Sequence, residues 1–84
     1  KSLKADMAED LPVIFSPHAL TKLVQRGLTR EMVVRTLEHP SRLISVGDRM
    51  HAFRRFGALY LRVIFSRTGR NIIVITQHFV KKLP

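Results

Sequence analysis

Four histidines, a single tyrosine and ten arginines are the side chains here that could move protons or hold phosphate, and cysteine is absent. His18, His51 and His78 are candidate bases or acids, Tyr60 is a poorer acid, and Arg55 and Arg62 are candidate charge stabilisers. Together they suit cleavage of RNA by its own 2′-hydroxyl. That reaction needs a base for the hydroxyl, an acid for the leaving oxygen and cations for the extra phosphate charge. Arg49 and Arg55 would also hold phosphates, and Phe53 or Tyr60 would stack a base. Metal chemistry is not expected, because the histidines are scattered and no thiolate or helical ligand pair accompanies them. No cofactor and no small-molecule ligand are expected either.

Charge supports a polyanionic partner. Fifteen Lys and Arg face six Asp and Glu, a formal net charge of +9. Residues 1–12 hold two bases and three acids, a net of −1, which leaves +10 on residues 13–84. Arginine favours phosphate through its planar bidentate fork. The plainer reading is a solubilising surface. No apolar run approaches the ~20 residues that cross a bilayer, Lys1-Ser2-Leu3-Lys4 has no signal-peptide character, and a chain without cysteine fits a reducing cytoplasm. At 84 residues and 45% hydrophobic, one modest core is expected.

The elements that would position these groups follow from local signals. Residues 1–12 read as a tail and 81–84 as a second, basic tail, bracketing one domain over 13–80. Val13-Ile14-Phe15 is a brief strand or extended lead-in. Ser16-Pro17 starts a helix with Leu20, Leu23 and Val24 on its inner face and Gly27 as its left-handed stop. Thr29 caps a second helix with Val33, Val34 and Leu37 inside, ended by Pro40. Arg42 to Val46 is extended and Gly47-Asp48 turns. Strands are then expected over Arg49–Phe56, Leu59–Ser66 and Asn71–Phe79. The order predicts an α+β fold, two N-terminal helices on one face of a three- to four-stranded antiparallel sheet.

Register decides which side chains share a face. A two-residue turn at Gly57-Ala58 pairs Phe56 with Leu59, Arg55 with Tyr60 and Phe53 with Arg62. Arg49, His51, Phe53, Arg55, Tyr60 and Arg62 then lie together, opposite a core face of Leu59, Leu61, Val63 and Phe65. The last strand is apolar on both sides. An odd loop at Thr68-Gly69-Arg70 would pair Arg62 with Thr76 and Tyr60 with His78. It would also send Ile73 and Ile75 inward. Arg54 falls on the core side, which requires that it reach the sheet edge or that the strand be bulged. Antiparallel sheets commonly wet one face with Arg and Tyr for packing and solubility, so the grouping of cations with almost no acid carries more weight than any one residue. His18, in the first helical turn, is either a neutral base beside an anion site or a junction-packing residue. His39 reads as a capping cation.

Phe15-Ser16-Pro17-His18-Ala19 and Gln25-Arg26-Gly27-Leu28-Thr29 resemble a small bacterial domain family of unknown function related to the RelE/ParE/BrnT toxins. The resemblance covers about residues 13–80, and the final strand agrees in character. It implies a RelE-like fold and a toxin that cleaves mRNA, neutralised by an acidic antitoxin covering the basic face. By the motif, His18 and Arg26 carry over as functional positions, Arg26 as a nucleic-acid contact. The chain departs from several relatives in lacking a basic C-terminal helix.

Overall fold

Ser16 fixes where the helices begin. In the computed structural model, which describes residues 11–84, its hydroxyl accepts from the Ala19 amide at 3.1 Å and Pro17 follows at the first helical position. Helix α1 (Pro17–Gln25) ends in a left-handed stop at Gly27, φ 65°. There the Gly27 and Leu28 amides donate back to the Val24 and Leu23 carbonyls, at 3.2 and 2.9 Å. Thr29 repeats the N-cap for α2 (Arg30–Glu38) by accepting from Met32.

Five strands follow this logic: β1 (Val13–Phe15), β2 (Arg42–Val46), β3 (Arg49–Phe56), β4 (Leu59–Thr68) and β5 (Asn71–Val80). They form one sheet in the order β1-β5-β4-β3-β2. The architecture is α+β as expected, but among the described residues the sheet has five strands rather than three or four. It is also mixed, since β1 lies parallel to β5 through Val13–Ile72, Ile14–Ile73 and Phe15–Val74. No local turn joins these two strands, so no turn signal marks their pairing.

Both helices pack on one face. Ala19, Leu23, Val33 and Leu37 meet Ala52, Leu61, Val63, Phe65, Ile72 and Val74 in a single buried cluster. The inner stripe of α1 is thus Ala19 and Leu23, while Leu20 is 41% and Val24 82% exposed. Ala19 is small enough to let α1 approach β5, where the buried Gln77 side chain donates to the Ala19 carbonyl at 2.9 Å. Most of the tail expected over residues 1–12 lies outside the described residues. Leu11, however, joins the core, and the Pro12 carbonyl accepts from the Ile72 amide.

The β3–β4 hairpin has the expected register: Phe56–Leu59, Arg55–Tyr60 and Phe53–Arg62. The β4–β5 hairpin does not. Its turn is the two residues Gly69 and Arg70, with Gly69 at φ 59° as a tight hairpin turn requires. The register shifts between Ile64–Thr76 and Phe65–Val74, leaving Ile75 as the extra residue of a bulge. Ile72 and Val74 are therefore the core residues of the strand's first half, and Ile73 and Ile75 are not. Past the bulge the parity inverts, so Gln77 is buried and Thr76 and His78 turn to the other face. Ser16 holds the bulge, donating from its hydroxyl to the Ile75 carbonyl at 3.1 Å.

Candidate nucleic-acid interface

The sheet face away from the helices carries two rows of side chains. Arg42, Phe53, Arg62 and His78 stand in register across β2, β3, β4 and β5. Ile44, His51, Ile64 and Thr76 form the next row. Arg55, Tyr60 and Val80 lie beyond the first row, and Arg49 sits opposite Val46 on the far side. The expected pairs Arg62–Thr76 and Tyr60–His78 are replaced by Arg62–His78 and Tyr60–Val80, because the shorter turn and the bulge together slide β5 by two residues. Directly opposed side chains have Cβ atoms about 5 Å apart, so Arg62 and His78 are neighbours.

Arg62 is the centre of this face. Its guanidinium lies over the Phe53 ring, 5.7 Å from the centroid. Its Nε and Nη2 donate to His51 Nδ1 at 3.2 and 3.0 Å. Both partners on the arginine are obligate donors, so Nδ1 must accept and the imidazole proton sits on Nε2. Burial, then Arg62 and Arg49, hold the His51 pKa below its ordinary 6.5. A neutral ring whose lone pair is already engaged is a poor general base. His51 positions Arg62 instead.

His78 has the complementary character. It is half-buried, and burial followed by Arg62, Arg26 and His51 lowers its pKa below 6.5. Its lowered pKa leaves the imidazole neutral near pH 7, and no hydrogen bond among the described residues engages its ring. Arg26 reaches this neighbourhood around the sheet edge, donating from Nη1 to the Gln77 carbonyl at 2.8 Å. His18 is exposed in the first turn of α1, on the helix side of the sheet, and no hydrogen bond ties it to the arginine row. Arg55 is exposed and bonds locally to the Gly57 carbonyl. Tyr60 is half-buried.

Phe53 differs from its expected role. It lies outside the helix-side core yet is only 2% exposed, so no open ring is presented for stacking. Arg62 covers it from above, and residues 81–84 form a strap over the same face. The strap is held where Arg42 Nη1 donates to the Pro84 carbonyl at 2.8 Å. Arg54, on the helix side, reaches out to the α2 terminus and donates to the His39 carbonyl at 2.9 Å, without any bulge in β3. The C-cap function at His39 is thus met at its carbonyl by Arg54.

Acid is nearly absent. Among the described residues the carboxylate side chains are Glu31 and Glu38 on α2 and Asp48 in the β2–β3 turn, so none stands on a strand of this face. No group of three His, Asp or Glu among the described residues could hold a metal. Among them, too, no helix is long and apolar enough to cross a membrane. Arg42 and Lys82 join the face without having been singled out from sequence. The signal for Arg42 was present: the Gly47-Asp48 turn, treated as the Gly57-Ala58 turn was, pairs Val46 with Arg49 and hence Arg42 with Phe53.

No family model, curated protein or solved structure matches this chain.

The lowered histidines make stability depend on pH. Both bind a proton less readily in the folded state than in the unfolded chain, so the unfolded state takes up more protons as pH falls below 7. Folded stability is therefore expected to be fully present above pH 6.5 and to decline as pH drops through 6.5 toward the folded-state values. Urea midpoints at pH 7.5, 6.5 and 5.5 check this, with the His51→Gln, His78→Gln double variant showing a flatter profile.

Proposed function

We propose that the chain binds single-stranded RNA across the β2–β5 face and acts as a toxin-like, RelE-type endoribonuclease that needs no metal. The observation that carries this reading is the acid-free row Arg42–Phe53–Arg62–His78, which sets cations beside a half-buried imidazole that no hydrogen bond among the described residues engages. In the chemistry this arrangement suits, His78 takes the proton of a 2′-hydroxyl as its oxygen attacks the adjacent phosphorus. Arg62 neutralises the extra charge on the phosphoryl oxygens. The bond to the departing 5′-oxygen breaks, and that oxygen takes a proton from Tyr60 or from water. An acidic antitoxin is the protein partner that this face would suit.

Binding without cleavage is a second reading, and one observation favours it: the second histidine of the face, His51, has its lone pair engaged by Arg62 and offers no base. A labelled single-stranded RNA incubated with the protein and a chelator separates the two. New ends that disappear with His78→Ala support the nuclease. RNA that is retained on the protein but uncut supports the binding module. RNA neither held nor cut refutes both.

A further inference from the structure

The strap turns part of the arginine face into a groove of about 180 Å³. Ile44 and Val46 of β2, Val80, and Pro84 at the strap's end supply apolar walls, with Phe53 beneath. Three polar groups open onto it: His51, Arg62 and Lys82. Because Arg62 occupies His51 Nδ1, the group His51 has left to offer a ligand is the Nε2–H donor. The groove thus joins apolar walls, one fixed donor and two cations, with no Asp or Glu side chain in its lining. Drug-sized ligands occupy sites of roughly 300 Å³ or more, so this volume suits one ring system and its charged substituent.

We propose that the groove is a slot for a single unpaired nucleotide, the base between Ile44, Val46 and Pro84 with an acceptor on its edge facing His51, and the phosphate on Arg62 and Lys82. This rests on the RNA-binding reading and names where one nucleotide of the strand would sit. Apolar contact makes the site tolerant of base identity, whereas the lone donor selects bases that turn a carbonyl or ring nitrogen toward it. Arg42 contributes indirectly, by tethering Pro84 as a wall.

The test is a titration of the intact chain with uridine monophosphate, ribose phosphate and benzoate, followed by methyl and amide NMR, beside a titration with a short single-stranded RNA. Uridine monophosphate is expected to bind about tenfold or more tighter than ribose phosphate, the increment of one buried base. The shifts should fall on Ile44, Val46 and Val80. Lys82→Ala, an exposed position that should leave the fold intact, is expected to weaken both phosphates alike. Equal binding of the nucleotide and ribose phosphate, or shifts outside the groove, would overturn the slot, and the RNA reading would stand if the oligomer still bound. Benzoate binding as tightly as the nucleotide would also overturn it, by showing a general aromatic-anion site. Nucleotide binding in the groove without any binding of the oligomer would uphold the slot and sink the RNA reading.

Discussion

Arg62→Ala is expected to lower RNA affinity by about ten- to a hundredfold, the loss that follows from removing a charge-assisted contact worth ~1.5–3 kcal/mol. No other arginine on this face is held so firmly. Arg55 is exposed and bonded only to its own turn, whereas Arg62 sits over the Phe53 ring and is fixed by two bonds to His51. These contacts leave Nη1 without a partner among the described residues, aimed by a side chain that has already lost its rotamer freedom. A preset cation binds phosphate without paying that entropy at the moment of contact. Arg62→Lys should fall between wild type and alanine, because an ammonium keeps the charge but cannot lie on the ring and bond His51 as the planar fork does. Affinity at several salt concentrations, by fluorescence anisotropy, checks this, with the slope against salt falling by about one phosphate contact. The same variant should raise the pKa of both His51 and His78, since a neighbouring cation that disfavours their protonation is gone. A shared rise, in a variant whose amide and methyl resonances stay as dispersed as in wild type, would show that the effect is electrostatic and not unfolding.

Phe53→Ala is expected to cost about 3–5 kcal/mol of folding stability, as a buried phenylalanine does in a core. For a domain this small, total stability is of order 5–10 kcal/mol, so roughly a third or more of the folding free energy would be lost and the melting temperature would fall steeply. Such a loss is not expected of a ring on a wetted sheet face. It follows from Arg62 and the strap, which leave that ring 2% exposed. Phe53→Leu should recover most of the stability, because it restores volume under the strap while removing only the cation–π contact. Thermal unfolding of the three proteins is the check. If Phe53→Ala melted with wild type, the strap would not be packed on the sheet in solution.

What could be read in the sequence divides along a physical line between local and non-local signals. The caps at Ser16 and Thr29, the stop at Gly27 and the Gly57-Ala58 hairpin each depend on a few adjacent residues, and each appears where those residues place it. The stripe of α1 was harder to place. Leu20 and Val24 look like core residues by hydrophobicity, but the helix turns Ala19 inward so that its backbone can approach Gln77. In β5, Ile72 to Ile75 is apolar without alternation, so nothing in the pattern distinguishes an odd loop from an even loop followed by a bulge. The bulge is stabilised from far away, by the Ser16 hydroxyl on the Ile75 carbonyl. His78 reached the arginine face as expected, but by that different route and beside Arg62 instead of Tyr60. The strap was invisible for the same reason. Its anchor joins residues 42 and 84, and neither end carries a local mark of the other.

The surface proposed to meet RNA is the β2–β5 face. An amide NMR titration with a short single-stranded RNA, extended to the arginine side chains, tests it most directly. The expected result is a set of perturbations confined to the β2–β5 face, at Arg42, Ile44, Val46, Arg62, His78, Tyr60 and Val80, and to the strap residues Lys81 and Lys82. These should weaken as salt rises and largely vanish in Arg62→Ala. Perturbations centred on the outer surfaces of α1 and α2, or none at low salt, would contradict it.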